Sequence, residues 1–168
     1  MSIRKEREDM QLNKMEEINE NLRMECIEPL EYEEFVDMKL KEMEHHVIYA
    51  EKLGIEDIYC SSYTEKQALK SLDKYKTYML KNSENKIFGF VQLSDFTGIN
   101  TGNGVYVNNL YVKENYRKMG IATSVLNYLT DKFNEVIFEA YYNIPGNKLY
   151  KDLGFVEIGK IYLKTNKC

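Results

Sequence analysis

The sequence predicts an α/β domain in which a mixed sheet carries helices on both faces. Some segments alternate apolar with polar residues, others repeat apolar residues at helical spacing, and the two kinds are interleaved along the chain. Helices that alternate with strands bury their apolar stripes most compactly on the two faces of one sheet. The chain has 168 residues, of which 43% are hydrophobic, which is enough for one domain with a sizeable core.

The N-terminal segment predicts a helix. Residues 3–21 are charged on most faces and carry a sparse apolar stripe, formed by Met10, Met15, Ile18 and Leu22. We therefore expect residues 1–21 to be a helical extension and residues 22–168 to form the domain itself.

A strand and two helices are predicted next. Residues 22–28 alternate apolar with charged side chains, which is typical of a half-buried strand. Apolar residues then recur at helical spacing over 30–53, between Pro29 and the natural stop signal Gly54. A second helix is expected over residues 64–73.

The rest of the chain predicts a three-stranded meander followed by alternating elements. Strands are expected over 75–81, 86–96 and 105–112, with a turn at 82–85 and a loop at 97–104. The later elements are a helix over 120–133, a strand over 135–141, a short helix over 146–153 and one or two closing strands within 155–164.

Composition excludes several classes of function. No apolar run approaches the roughly 18–20 residues of a membrane span, and the N-terminus lacks the apolar segment of a signal peptide. The basic residues are neither clustered nor in large excess, so we expect no nucleic-acid partner. Cys26, Cys60 and Cys168 lack metal spacing, which favours free thiols and a cytoplasmic location. His45 and His46 point about 100° apart on a helix, so we expect no metal site.

The net charge of −4 conceals an asymmetry along the chain. Residues 1–60 contain 17 acidic and 8 basic side chains, whereas residues 61–168 contain 10 acidic and 15 basic ones. A mildly basic half suits a polyanionic ligand, and an acidic half suits a cationic amine. The alternative is that both halves carry solvated helix faces.

The most informative segment is the loop that leads from a β-type run into a helix at residues 110–122. Gly120 and Ala122 are small, so a phosphate can approach the main chain closely, and amides at a helix start have no intrahelical partner. Arg117 and Lys118 add positive charge. The alternative is a glycine turn that enters a buried helix. The spacing fits neither a P-loop nor a dinucleotide fingerprint.

A second segment, residues 143–155, strengthens this interpretation. It reads Asn-Ile-Pro-Gly-Asn-Lys-Leu-Tyr-Lys-Asp-Leu-Gly-Phe. With the Arg-x-x-Gly-x-Ala loop at 117–122, it resembles the two motifs of the GCN5-related N-acetyltransferases. The resemblance covers about residues 76–164 and implies a mostly antiparallel mixed sheet flanked by helices on both faces.

The resemblance also implies site residues. The loop would hold the pyrophosphate of acetyl-CoA through Arg117, Lys118, Met119, Gly120, Ile121, Ala122 and Thr123. Asn143 would bond the amide arm of the cofactor, and Tyr150 would be the general acid beside its sulfur, because a phenol can return a proton to a thiolate. The alternative is that Tyr150 is one of fourteen tyrosines that fill the core. Two positions depart from the family pattern, Glu114 in place of proline and Gly146 in place of alanine.

In the family the predicted strand over 105–112 parts from its neighbour at a bulge. Leu110, Tyr111 and Val112 would then offer backbone groups to the pantetheine arm, and an N–H there would polarise the thioester carbonyl. No carboxylate lies on this strand, so a water held by Asn108 or Asn109 is our preferred general base. Glu31, Glu33 or Glu34 could supply a base or a substrate anchor instead, or each is a plain surface charge. Glu139 fits a common pattern of the family on the facing strand; the alternative is a plain solvent-facing carboxylate.

The sequence thus predicts an acetyl-CoA-dependent N-acetyltransferase that acts by direct transfer in a ternary complex. The acceptor would be a primary amine on a small molecule or a peptide. No cysteine lies within the motifs, so we expect no acetyl-enzyme. Two alternatives stay open, a non-catalytic acyl-CoA-binding sensor with the same fold and an unrelated α/β interaction module. A homodimer, paired through the closing strands or the N-terminal helix, is also open.

Overall fold

The computed structural model describes residues 12–54, 63–96, 103–140, 144 and 146–159. Within these ranges the chain forms six strands and four helices. The strands are β1 (Met15–Asn19), β2 (Leu22–Cys26), β3 (Lys76–Lys81), β4 (Ile87–Phe96), β5 (Gly104–Val112) and β6 (Glu135–Phe138). The helices are α1 (Tyr32–Lys52), α2 (Glu65–Lys74), α3 (Ile121–Lys132) and α4 (Gly146–Asp152).

The strands form one mixed sheet in the order β1-β2-β3-β4-β5-β6. The first five are antiparallel to their neighbours, and β6 is parallel to β5. A parallel neighbour requires a crossover connection, and α3 provides it. The predicted mixed, mostly antiparallel sheet is confirmed.

Helices cover both faces of this sheet. On one face Val125 and Leu129 of α3 pack against a cluster that includes Tyr78, Val91 and Val105. On the other face a second cluster consists of residues from α1, β3, β4 and β5: Phe35, Met38, Met79, Phe90 and Tyr111. Tyr78 and Met79 point into different clusters because successive strand residues face opposite sides. The predicted placement of helices on both faces is confirmed.

Local signals set the helix ends near α1 and α2. Pro29 opens a short 3₁₀ turn that runs directly into α1, and Gly54 adopts φ +73° just after α1 ends. A left-handed residue at this position is a common helix terminator. Thr64 begins α2 with a capping box, in which its side chain accepts from the Gln67 backbone and Gln67 reaches back.

The predicted N-terminal helix is wrong where it can be checked, because residues 15–19 form strand β1; residues 1–11 lie outside the described ranges. Met and Glu are good helix formers, but helix propensity is a weak preference. Pairing with β2 and the buried contact of Glu16 with α3 outweigh it. The carboxylate of Glu16 is buried and accepts hydrogen bonds from Tyr128 and Lys132 of α3. Asn19 turns the chain by accepting a hydrogen bond from the Asn21 backbone.

The C-terminal expectations hold only in part. The predicted strand over 135–141 ends at Phe138, and the short helix forms as expected. Closing strands were expected within 155–164, but residues 155–159 have no regular structure, and residues 160–164 lie outside the described ranges. None of the helices in the described part of the chain has the length and apolar content that a bilayer crossing requires.

The buried carboxylate of Glu16 leads to a prediction about acid stability. Burial raises the pKa of Glu16, but hydrogen bonds from Tyr128, Lys132 and the Asn13 backbone outweigh it and lower the pKa below its ordinary value of 4.5. Such a carboxylate stabilises the fold at neutral pH, and the stabilisation is lost as pH falls through the lowered pKa. We therefore expect Glu16→Gln to lower the free energy of unfolding at pH 7 by about 1–3 kcal/mol, and to reduce its loss in acid.

Urea unfolding at a series of pH values measures this effect. Glu17→Gln is the matched control, because Glu17 is the exposed neighbour on the same strand. The prediction fails if wild type and Glu16→Gln lose the same free energy of unfolding between neutral and acidic pH.

Candidate active site

The sheet opens where β5 runs on beyond its pairing with β6. The register between the two strands starts at Gly104↔Glu135 and ends at Val107↔Phe138, whereas β5 continues to Val112. On the β4 side, Gln92 pairs with Asn109 and Leu93 with Val107, so Asn108 is an extra residue in β5. This bulge bends the strand. Among the described residues, β5 beyond Asn108 is therefore paired on one side only.

The predicted cofactor-binding segment Leu110, Tyr111 and Val112 lies in this half-paired stretch. The Tyr111 ring is buried against Phe90, and its carbonyl oxygen faces Gly89 of β4, so neither group borders the opening. Gly89 of β4 allows the two strands to come close here, because a Cβ at Gly89 would lie 2.0 Å from the Tyr111 carbonyl oxygen. The backbone groups of Leu110 and Val112 that point away from β4 are available to an extended ligand, except the Val112 carbonyl, which accepts from Arg117 Nε.

The loop after β5 prepares the start of α3. Lys118 and Gly120 both have positive φ, +61° and +79°, and Gly120 is the residue before the helix. The first helical hydrogen bond runs from Ser124 N to Gly120 O at 2.9 Å, and no side chain caps this end. The amides of Ile121, Ala122 and Thr123 therefore lack intrahelical acceptors at the positive end of a 12-residue helix. This arrangement suits an anion.

The space above this helix start is open. Lys118, Met119 and Gly120 are exposed, and a Cβ at Gly120 would meet nothing within 4 Å. The side chain of Ile121 is buried in the core, so it can contribute only its amide.

Arg117 does not extend freely from the loop. Its Nε donates to the Val112 carbonyl at 3.0 Å, and its guanidinium lies 5.6 Å from the centre of the Tyr111 ring. The side chain therefore ties the loop to the end of β5 while leaving a positive charge beside the loop. Its predicted contact with phosphate stays a prediction.

Tyr150 lies at the end of β6, on the other side of the opening. Its ring packs on Phe138 at 4.4 Å between centroids, and Phe138 pairs with Val107, the last β5 residue that β6 holds. Burial raises the pKa of Tyr150, so the phenol keeps its proton at neutral pH. A Cβ at Gly146 would lie 3.2 Å from the Tyr150 hydroxyl. Gly146, which stands where the family pattern has alanine, therefore leaves room for the Tyr150 hydroxyl.

Asn143 and Pro145 lie outside the described residues, so the predicted contact of Asn143 with the cofactor stays a prediction. The two asparagines of the bulge are both described. Asn108 Nδ2 donates to Ser94 Oγ at 2.8 Å and to the Tyr106 carbonyl at 3.3 Å. Asn109 Nδ2 donates to Gln92 Oε1 at 2.8 Å. Both amides thus commit their NH₂ groups to the protein and leave an oxygen as acceptor.

The alternative carboxylates differ in their surroundings. Glu31 pairs with Lys81 at 2.5 Å and Glu34 pairs with Lys113, so both are engaged in ion pairs, whereas Glu33 is exposed. Glu139 follows β6 directly; together with burial, its hydrogen bond with Tyr106 raises the pKa of that phenol. Glu139 is therefore the one of the four that adjoins the strand carrying the bulge.

Sequence reasoning missed Gln92, which is fully buried beneath the bulge. Its only signal in the sequence is a polar residue inside the apolar run of β4.

His45 Nε2 lies 3.6 Å from Glu114, and among the described residues no group of three or more His, Cys, Asp or Glu side chains is placed to bind a metal ion.

Comparisons with known proteins agree with this geometry. The protein YycN of Bacillus subtilis superposes with a TM-score of 0.64 at 18% identity, over 86% of this chain and 98% of that one. A ribosomal-protein-alanine N-acetyltransferase from Brucella melitensis biovar Abortus 2308 gives 0.60 at 18%, over 86% and 99%. AAC(6′)-Iy in complex with the bisubstrate analogue CoA-S-monomethyl-acetylneamine gives 0.58 at 12%, over 88% and 99%.

These likenesses establish the fold, and no curated protein sequence matches the chain. The Acetyltransferase (GNAT) family matches residues 33–155, which include most of the sheet, the loop before α3 and the whole of α4. On this match the chain belongs to the Acetyltransferase (GNAT) family.

Proposed function

We propose that the protein is an acetyl-CoA-dependent N-acetyltransferase that transfers the acetyl group directly to a primary amine in a ternary complex. The observation that carries the proposal is the opening at Asn108, where β5 leaves β6 and continues through the loop at 113–120 to the uncapped start of α3. An extended backbone edge beside an anion-binding helix start suits a ligand with an amide arm and a diphosphate.

The residues of the opening fit acetyl-CoA. The amides of residues 118–123 would hold the pyrophosphate, and the backbone of Leu110 and Val112, on either side of Tyr111, would pair with the pantetheine arm. When bound, acetyl-CoA supplies an acetyl group activated as a thioester. Structures of AAC(6′)-Iy contain CoA and a CoA bisubstrate analogue, which supports this ligand for the shared fold.

The surroundings of Tyr150 support its proposed role, which is to give a proton to the departing thiolate of CoA. A group that protonates a departing thiolate must carry its proton at working pH, and burial raises the pKa of this phenol. Its ring is held against Phe138 at the end of β6. We assign Tyr150 as the general acid.

A water held by the bulge asparagines would take the proton of the amine. The Asn108 and Asn109 amides present oxygen acceptors beside the opening, and a water donor suits such oxygens. Glu139 is the alternative base, because it forms a hydrogen bond with Tyr106, a β5 residue two positions before the bulge.

The acceptor is a primary amine on a small cation or on a peptide. The acidic N-terminal half of the chain favours the small cation. Among the solved structures with this fold, one acetylates aminoglycosides by its name and another acetylates a ribosomal-protein alanine by its name. Neamine and a peptide with an N-terminal alanine are therefore suitable first probes.

The absence of a carboxylate on β5 favours one rival, a sensor that binds acyl-CoA without turnover. Release of free thiol from acetyl-CoA, measured with each probe amine and without amine, separates the two functions. The transferase requires thiol release that depends on the amine and matches the acetylated product in amount. Acetyl-CoA binding without such release would favour the sensor.

Binding itself has a separate readout. Acetyl-CoA at 100 times its Kd should add about 2.7 kcal/mol to the free energy of unfolding, and thus raise the Tm. An unchanged Tm at saturating acetyl-CoA would favour an interaction module that holds no cofactor.

We expect Tyr150→Phe to lower kcat by about 100- to 10,000-fold, the range for loss of a general acid, with the Kd for acetyl-CoA nearly unchanged. The substitution removes one hydroxyl and keeps the ring on Phe138. Tyr116→Phe is the matched control, because its ring packs on Phe88 at 5.0 Å instead. Full turnover by Tyr150→Phe at every pH would rule out the acid assignment.

Gly120→Leu should weaken acetyl-CoA binding by about 10-fold or more, because a side chain there enters the open space above the helix start. Isothermal titration calorimetry measures the Kd. Gly54→Leu is the matched control, since Gly54 also has positive φ and open surroundings but ends α1 instead.

Both variants should lose about 1–2 kcal/mol of stability from left-handed strain. If both bind acetyl-CoA as wild type does, the pyrophosphate site is placed wrongly.

A further inference from the structure

Gln92 is a polar side chain with no exposure, set between Val91 and Leu93 in the apolar run of β4. Burying an amide in the core is costly unless hydrogen bonds compensate for lost water. Gln92 makes three such bonds. Its Nε2 donates to Ser71 Oγ at 2.9 Å and to Thr77 Oγ1 at 3.0 Å, and its Oε1 accepts from Asn109 Nδ2 at 2.8 Å.

The orientation of this amide is determined by the two hydroxyls. Ser71 Oγ donates its only proton to the Ala68 carbonyl at 2.6 Å, and Thr77 Oγ1 donates to the Tyr75 carbonyl at 3.3 Å. Each hydroxyl can therefore only accept a hydrogen bond from Gln92. The NH₂ group of Gln92 must face α2 and β3, and its oxygen must face β5.

The orientation of the Gln92 amide in turn determines the orientation of the Asn109 amide. Because Gln92 presents an oxygen, Asn109 must turn its NH₂ group toward it, and the Oδ1 of Asn109 is left as an acceptor. Asn109 follows the bulged Asn108 directly and is half-buried, in the stretch of β5 that β6 does not pair. The network thus runs from the Ala68 carbonyl in α2 to the opening of the sheet.

We propose that Gln92 is a positioning residue that holds Asn109 so that its Oδ1 accepts an N–H of the acceptor amine, or an O–H of the water that deprotonates it. This rests on the proposed function. A purely structural role would be served equally well by apolar residues, since replacing both partners of a buried hydrogen bond by apolar groups is nearly neutral. The network instead joins α2, β3 and β4 to Asn109, which directly follows the extra residue of the bulge.

The decisive experiment compares Gln92→Met, Asn109→Ala and the double variant in the 168-residue chain, with neamine and the N-terminal-alanine peptide as probes. Methionine keeps the length of the side chain and removes all three hydrogen bonds. We expect Gln92→Met to lower kcat/KM for the amine by about 10- to 100-fold, with the Kd for acetyl-CoA unchanged within about 2-fold. Because Gln92 acts through Asn109, the double variant should be no worse than Asn109→Ala.

Gln92→Glu provides the rescue. A carboxyl group keeps an oxygen toward Asn109, so the orientation of Asn109 survives even though a buried carboxyl destabilises the core. Its kcat/KM should stay within about 5-fold of wild type although its Tm falls. If activity follows Tm across Gln92→Met and Gln92→Glu, the role of Gln92 is structural and the proposal is overturned. Losses that multiply in the double variant would overturn it as well.

Two further measurements keep the outcome clear. If Gln92→Met does not fold, Thr77→Val removes one hydrogen bond of Gln92 and should give a smaller loss of the same kind, without a change in acetyl-CoA affinity. The side-chain NH₂ signals of Asn109 in ¹⁵N NMR report its orientation without any turnover. They should show one protected proton in wild type and none in Gln92→Met; equal protection in both would overturn the proposal. If wild type turns over neither probe while these signals behave as expected, the proposed acceptors fail, and only the orientation of Asn109 by Gln92 is supported.

Discussion

The extra residue at Asn108 is the constraint on which the rest of the site depends. Without it, β5 would keep alternating its side chains and stay beside β6. With it, Val105 and Val107 share a face with Leu110 and Val112, while Asn109 and Tyr111 take the opposite face. The strand bends away from β6 and leaves a backbone edge unpaired by any described strand. The same strand continues to the start of α3, so one irregularity shapes both sides of the candidate cleft.

The cleft is tied together by contacts that are distant in sequence. Glu34 pairs with Lys113, and His45 lies near Glu114, so α1 is linked to the segment that leads from β5 into the loop. Arg117 holds the loop to the Val112 carbonyl. Exposed pairs of this kind add little stability. Their consequence is geometric, because they connect the helix on one face of the sheet to the helix start on the other.

Some parts of the fold and site were predictable because their signals are local. Alternation predicted β2 and the meander, and helical spacing predicted α1 and α3. Gly54 marked a helix end and Gly120 a helix start, and both adopt positive φ. The N-terminal strand was not predictable in this way. Its carboxylate Glu16 is buried, and the partners that make burial tolerable, Tyr128 and Lys132, lie more than a hundred positions away. A short window of sequence around Glu16 cannot contain these distant partners.

The sequence by itself determined the kind of fold and the positions of the glycine loop before α3 and of the tyrosine in the second motif. Each of these depends on residues close together in the chain. Tertiary structure alone decided how Arg117 folds back, how burial and Glu139 raise the pKa of Tyr106, and how Gln92 orients Asn109. Side-chain amides and guanidinium groups have several possible partners. Which one they meet depends on strands and helices brought together only after the sheet has formed.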